Sequence, residues 1–240
     1  SAILMDGNPD NVWMAVILTL GLGLLVGLIH AFLINEFNLS PFVVTFASLF
    51  ILQGISLTIT TKPIGRASRD FLMLYSQKFL GVPIIVYYFI FITLLIMFLL
   101  RKTVFGKHIY AIGGNLSVAQ LSGIPVKRVR YGVYGLCSVL AASTGLLWLM
   151  RMGVGDPVIG KELELNAIIA VVIGGTSLFG GRGTVTGVLG GILLLTFTDN
   201  LLVVLGVNQF ISGLIKGIIF VIAVAFYKQT DHTRGGFSTP

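Results

Sequence analysis

Charge is what this chain has least of. Of its 240 residues, only 10% are Asp, Glu, Lys or Arg, against roughly 25% in an ordinary soluble domain. So few charges exclude a surface solvated on all sides. Cysteine is almost missing too: Cys137 stands alone inside a predicted helix, which excludes a disulfide framework. The three histidines are scattered without metal-ligand spacing, so no metal is expected. No Ser/His/Asp set forms a local motif, and the chain is not expected to be an enzyme. No n-region, h-region and cleavage site can be read after Ser1, and the N-terminus is expected to be truncated.

What is present is apolar sequence: 55% of the residues are hydrophobic. Uncharged runs cover 11–35, 37–61, 79–100, 131–150, 165–181, 183–198 and 200–215, the last continuing past Lys216 to Tyr227. A membrane helix needs about 20 such residues, range roughly 17–25, so there are seven candidate spans with the fifth and sixth short. The runs lack the period-2 alternation of a barrel, and in lipid only helices and closed barrels satisfy their backbone. The expected class is all-α: a polytopic, multi-pass membrane protein of about seven helices. A net charge of +7 does not signal nucleic acid here, because the basic residues lie in the loops, where they set orientation.

The spans are expected at about Val12–Ile34, Phe42–Ile59, Pro83–Leu100, Tyr131–Leu149, Leu165–Gly181, Gly183–Leu205 and Phe210–Phe226. Residues 1–10 and 60–82 read as connections. Pro41 after Ser40 is a good helix start. The stretch 162–191, ELELNAIIAVVIGGTSLFGGRGTVTGVLGG, is the organising one. It holds eight glycines in thirty residues, a poor helix in water, where each interior glycine costs about 1 kcal/mol relative to alanine. In lipid the same residues let backbones approach, and Gly183-x3-Gly187-x3-Gly191 is a doubled small-xxx-small ridge. Two membrane helices joined by a tight hairpin, Gly180–Gly183, are expected.

The longest polar loop, 101–130, carries six Lys/Arg and no acid. It is therefore assigned to the cytoplasm, although the basic 62–78 segment argues the other way. Within it Asn115 is placed to cap a short helix, Leu116–Ser122, that Gly123 and Pro125 end. Two turns are not stable alone in water. The apolar Leu116, Val118 and Leu121 need a bilayer interface, the protein's own helix ends, or a partner protein.

Other polar signals are weaker. GDPVIGKE (155–162) has the spacing of a phosphate loop at Gly155, Gly160 and Lys161, but Glu162 stands where magnesium needs Ser or Thr, and no buried strand precedes it. Nucleotide binding is not expected there. An external loop that contacts a solute-binding protein through Asp156, Lys161, Glu162 and Glu164 fits better. Lys216 and Asp199 are the deep charges, and they are expected to pair, to snorkel or to lie on a substrate path. Thr45, Ser48, Gln53, Ser143, Thr144, Thr196 and Asn200 are open to two readings, lining a path or bridging helices. His30 reads as an interfacial or packed histidine rather than a proton relay.

FGKHIYAIGGNLSVAQLSGI (105–124) followed by ELELNAIIAVVIGGTSLFGGRGTVTG (162–187) resembles the permease subunit of bacterial ABC importers of the ribose/xylose/arabinose type. LSPFVVTFASLFILQGISLTIT (39–60) is similar to it as well, and the likeness runs from roughly residue 12 to residue 227. The resemblance implies a single permease domain over 1–240, with 101–130 as a coupling loop that inserts a short helix into a cytoplasmic ATPase. Gly106, Tyr110, Gly113, Gly114, Asn115, Gly123 and Ile124 would lie at that contact, with Leu121 on the short helix itself. Gly174, Gly175, Thr176, Gly180, Gly181, Gly183, Gly187 and Lys216 would serve helix packing or the translocation path. The implied partners are ATPase subunits, an external sugar-binding protein, a second permease subunit and lipid. The ATPase, not this chain, would bind ATP and magnesium, and no sugar pocket is expected.

Members of that family usually carry further helices and a Gly-Gly-x-Asp-Leu-Ser type segment upstream, so this chain reads as the C-terminal part of such a permease. They commonly have Asp where this chain has Asn166, and no carboxylate role carries over there. Two other readings remain: an ion-coupled secondary transporter or channel, and an ABC permease for branched-chain amino acids, nucleosides or a quorum-signal sugar.

Overall fold

A computed structural model of the chain describes residues 1–161, 163–178, 180–208, 211–219 and 221. These residues are overwhelmingly helical, and five helical segments are long and apolar enough to cross a membrane: Pro9–Glu36, Pro41–Ile59, Ile84–Lys102, Val126–Met152 and Val185–Val204. The protein is an all-α polytopic membrane protein. The described residues form two compact units, Ser1–Leu95 with Ser122–Gly160, and Ile96–Leu121 with Lys161 onward.

In the first unit, α1 (Ala2–Met5) and a 3-10 turn (Pro9–Asn11) lead into α2 (Val12–Glu36) and α3 (Pro41–Ile59). The segment 60–82, expected as a plain connection, folds. Ala67 N–H donates to Gly153 O at 2.9 Å, and the Ser68 hydroxyl caps α4 (Arg69–Ser76) by accepting from Phe71 N–H at 3.3 Å. The reason is apolar: Phe71 drops into a small core with Met5, Ala15, Leu146 and Leu149. A two-residue hairpin follows, β1 (Lys78–Phe79) with β2 (Val82–Pro83). Its loop residues have φ 52° at Leu80 and 83° at Gly81, the positive-φ pair that hairpin twist favours. α5 (Ile84–Lys102) follows, and its residues from Ile96 on belong to the second unit.

The centre of the first unit is α2 against α8 (Val126–Met152). The positions of Gly23 and Gly27 explain how close they come. A Cβ on Gly23 would lie 2.6 Å from Ala142 Cβ, and one on Gly27 would lie 2.5 Å from Tyr134 O. At one end of the pair Lys127 Nζ meets Glu36 at 2.9 Å, while Asn35 donates to Lys127 O at 3.3 Å. α8 begins five residues before the expected Tyr131, because Val126 and Val129 are buried and prolong the helix. Away from this seam large side chains face outward, Trp13 at 76% and Phe42 at 71% exposure, as lipid-facing surface requires.

The second unit holds α6 (Val104–Gly114), α7 (Leu116–Leu121), α9 (Leu163–Ile173) and α10 (Val185–Val204). Most of 101–130 is therefore helix rather than polar loop: Thr103 caps α6, and the α6–α7 joint is the single residue Asn115. Seven spans were expected, the fifth and sixth of them short. The fifth is an 11-residue helix, α9, about 17 Å long against a hydrocarbon core of about 30 Å. The seventh is described only at 211–219 and 221, which are helical. α9 stops where Gly175 takes φ 79°, a conformation that continues no helix. The joint is likewise longer than the expected Gly180–Gly183. It spans 174–184 and is closed by Ser177 N–H on Arg182 O at 2.9 Å. Gly183 lies in this link and not on the helical ridge, since Thr184 is the cap of α10.

Candidate functional site

The residues that the resemblance singled out in 105–121 and 174–187 fall together in the second unit. α6 is fixed at its start by Thr103, whose hydroxyl accepts from Gly106 N–H at 3.2 Å and donates to Leu99 O at 2.6 Å. Gly106 rests on the carbonyl of Leu100, where a Cβ has no room. The other end of α6 lies against the glycine link. A Cβ on Gly113 would stand 2.5 Å from Gly181 N, and one on Gly181 would stand 2.8 Å from Gly114 Cα. Such backbone-to-backbone approach is open only to glycine. Tyr110 completes the contact by donating its hydroxyl to Gly183 O at 2.9 Å.

The link continues into the α9–α10 hairpin. Gly187 sits on the carbonyl of Gly174, and Gly191 on that of Ala170. Ile169, Ala170 and Leu195 form the small core beneath them. Between α5, α6 and the link lies a largely apolar cleft of about 450 Å³, lined by Leu100, Tyr110, Val171, Thr176 and Val188. The hydroxyl oxygen of Thr176 is buried there with no hydrogen-bond partner.

α7 differs from everything around it. Asn115 Oδ1 caps it by accepting from Val118 N–H at 3.1 Å. The helix buries Ala119 but leaves Val118 57% and Leu121 89% exposed. Gly123 then turns the chain at φ 75° with nothing within 4 Å of its Cβ position, so its conformation and not its size is what that position uses. Gly123 and Ile124 belong to the first unit.

Among its described residues the second unit holds an ion pair. Lys216 Nζ lies 2.8 Å from Asp199 Oδ1 and 3.4 Å from Asn166 Oδ1. An unpaired charge at mid-membrane costs about 2.5–3.5 kcal/mol on insertion scales, which pairing offsets. Of the readings open for Lys216, pairing is the one the geometry shows, with Asn166 as a third member that spacing alone did not suggest. Among the other polar residues of the spans, the Thr45, Ser48, Ser143 and Thr144 hydroxyls bond carbonyls of their own helices. Gln53 reaches across to Pro157 O at 3.3 Å.

The residues expected to contact a binding protein are divided between the two units. Asp156 belongs to the first unit, where Oδ1 accepts from Val158 N–H at 2.9 Å beside a cleft of about 410 Å³ lined by Thr19, Ser56, Thr60 and Trp148. Lys161 and Glu164 belong to the second unit and are exposed. Glu162 lies outside the described residues. Among the described residues no group of three His, Cys, Asp or Glu could hold a metal. What sequence reading missed is α6 as a helix and Tyr110 as its tie. The signal was Thr103, a cap residue placed just before the helix it starts.

The profile of one family, the permease component of branched-chain amino acid transport systems, matches residues 1–224. The chain is 41% identical over 189 residues to the probable ABC transporter permease protein YphD of Escherichia coli (strain K12), covering 78% of this chain and 57% of that protein. It is 38% identical over 203 residues to the ribose import permease protein RbsC of Bacillus subtilis (strain 168), covering 83% and 63%. With the L-arabinose ABC transporter permease protein AraH of Azospirillum brasilense it shares 35% over 210 residues, covering 87% and 62%. The chain thus spans about three-fifths of the length of these relatives. No solved structure matches it. With a family match over nearly its whole length, and glycine-bound helices of the kind membrane packing needs, the chain belongs to the branched-chain amino acid transport system permease component family.

Proposed function

We propose that this chain forms part of the transmembrane subunit of an ATP-driven importer, in a bacterial inner membrane, and that its cargo is a monosaccharide. The observation that carries this is α7: a capped two-turn helix with Leu121 almost fully exposed, rigidly joined through Asn115 to an α6 that rests backbone-to-backbone on the glycine link. In this reading the exposed Leu121 and Val118 pack on a partner protein, one of the supports a two-turn helix needs. Force applied to α7 would pass through Tyr110 and Gly113 to the α9–α10 hairpin. Relatives named for ribose and L-arabinose import support the cargo.

In this reading α7 faces the cytoplasm and inserts in an ATPase subunit, which binds ATP and magnesium and does the hydrolysis. Asp156, Lys161, Glu162 and Glu164 face outward toward a sugar-binding protein, and a second permease subunit completes the path. The family's name favours a second reading, branched-chain amino acids as cargo. The full-length permease, reconstituted in liposomes with its ATPase and binding protein, should take up a pentose only when ATP is supplied. Uptake without ATP would point to ion coupling, and ATP-driven uptake of leucine but not pentose would favour the second reading.

A further inference from the structure

Polar side chains converge at one level of the second unit. Lys216 joins α10 to α9 by its contacts to Asp199 at 2.8 Å and Asn166 at 3.4 Å. On α10 itself, Thr196 and Asn200 lie on the same side as Asp199, within one turn, and both are exposed. Asn166 lies two residues from Glu164 in the first turns of α9, and Asn200 Nδ2 donates to Thr196 O at 2.9 Å.

Three features bear on what this cluster does. First, Lys216 is 19% exposed but Asp199 is 43% exposed. An open carboxylate on an apolar helix does not face lipid, so that side of α10 faces water or protein. Second, an ion pair is a poor packing device, because apolar residues of equal volume commonly hold helices as well or better. Packing alone does not account for it. Third, the pair cancels its own charge and keeps unused hydrogen-bonding capacity. A carboxylate offers about four acceptor sites and an ammonium three donors, more than the contacts of Lys216 occupy. Donors and acceptors of zero net charge suit a neutral solute rich in hydroxyls, and repel neither anions nor cations strongly.

We propose that Asn166, Asp199 and Lys216, flanked by Thr196 and Asn200, form a weak water-accessible contact site for a neutral polyhydroxylated solute as it crosses the membrane. The site rests on the solute-translocation reading above and adds to it a place and a chemistry. Its weakness follows from its openness, since an exposed hydrogen bond competes with water.

The test uses the full-length permease with its ATPase and binding protein in liposomes, with a pentose as solute. The apolar pair Asp199→Leu with Lys216→Leu should cut the uptake rate at saturating pentose by about tenfold or more, while ATP hydrolysis stimulated by the binding protein persists. The amide pair Asp199→Asn with Lys216→Gln keeps donors and acceptors without charge, and should stay within about threefold of the parent. Asp199→Cys, in a Cys137→Ala background, should be labelled by a membrane-impermeant maleimide. Wild-type uptake by the apolar pair would overturn the site. So would an amide pair as inactive as the apolar one, which is what a zwitterion held between the two charges predicts. Absent labelling, with the protein folded by size-exclusion chromatography, would overturn it too. ATP-independent uptake by the parent would sink the importer reading instead, while labelling and the contrast between pairs would still report on the site.

Discussion

The two units both use glycine where helices meet, but with different neighbours. In the first the neighbours are mixed: an added Cβ on Gly23 would first meet a side chain, Ala142 Cβ at 2.6 Å, whereas one on Gly27 would meet Tyr134 O at 2.5 Å. In the second, Gly187 and Gly191 face the carbonyls of Gly174 and Ala170, and Gly113 faces Gly181 N at 2.5 Å. A side chain can be trimmed or moved, whereas a backbone that belongs to a neighbouring helix or link cannot. The first seam is therefore adjustable at Gly23 and fixed at Gly27, while the second is fixed at each of these glycines.

Substitutions sharpen that contrast. Gly191→Leu should have the largest effect, at least ~3 kcal/mol of destabilisation, because the overpacked group meets main chain on α9. Denaturant unfolding in detergent micelles would show it, and no single substitution on α9 should restore it. Gly23→Ala should cost about 1–3 kcal/mol, and here Ala142→Gly should recover most of the loss. Failure of that rescue would erase the distinction between Gly23 and the glycines that face main chain. Tyr110→Phe removes one hydrogen bond, to Gly183 O, and should cost about 1 kcal/mol, with ATP-coupled uptake falling more than stability. Leu121→Ser should change stability least, within about 0.5 kcal/mol, since the side chain is 89% exposed, yet it should weaken co-purification of the ATPase about tenfold.

Much of this was legible in the residues. The spans announced themselves as uncharged runs, and Asn115 with Gly123 bracketed α7 to within one residue, Leu116–Ser122 expected and Leu116–Leu121 found. The Asp199–Lys216 pair was open to inference because deep charges are so few. Other parts were hidden by what signals them. Lys107 and His108 made α6 look like polar loop, while its stability comes from a glycine contact some seventy residues away in sequence. Leu80–Gly81 turns a hairpin without the Asn-Gly or Asp-Gly that marks such turns. Phe71 opens a short apolar run, Phe71–Leu74, in a segment with four basic residues, and only its burial shows why 60–82 folds. The tie of Tyr110 to Gly183 depends on a tertiary approach that no local pattern encodes.

The central claim is that α7 is the element an ATPase grips. With Leu121→Cys in a Cys137→Ala background of the full-length permease, a short bifunctional thiol reagent should link this residue to a cysteine placed along the ATPase groove, in membranes and at a yield that changes with bound nucleotide. Labelling of the same cysteine by an impermeant reagent added outside intact cells, with no link to the ATPase, would contradict it.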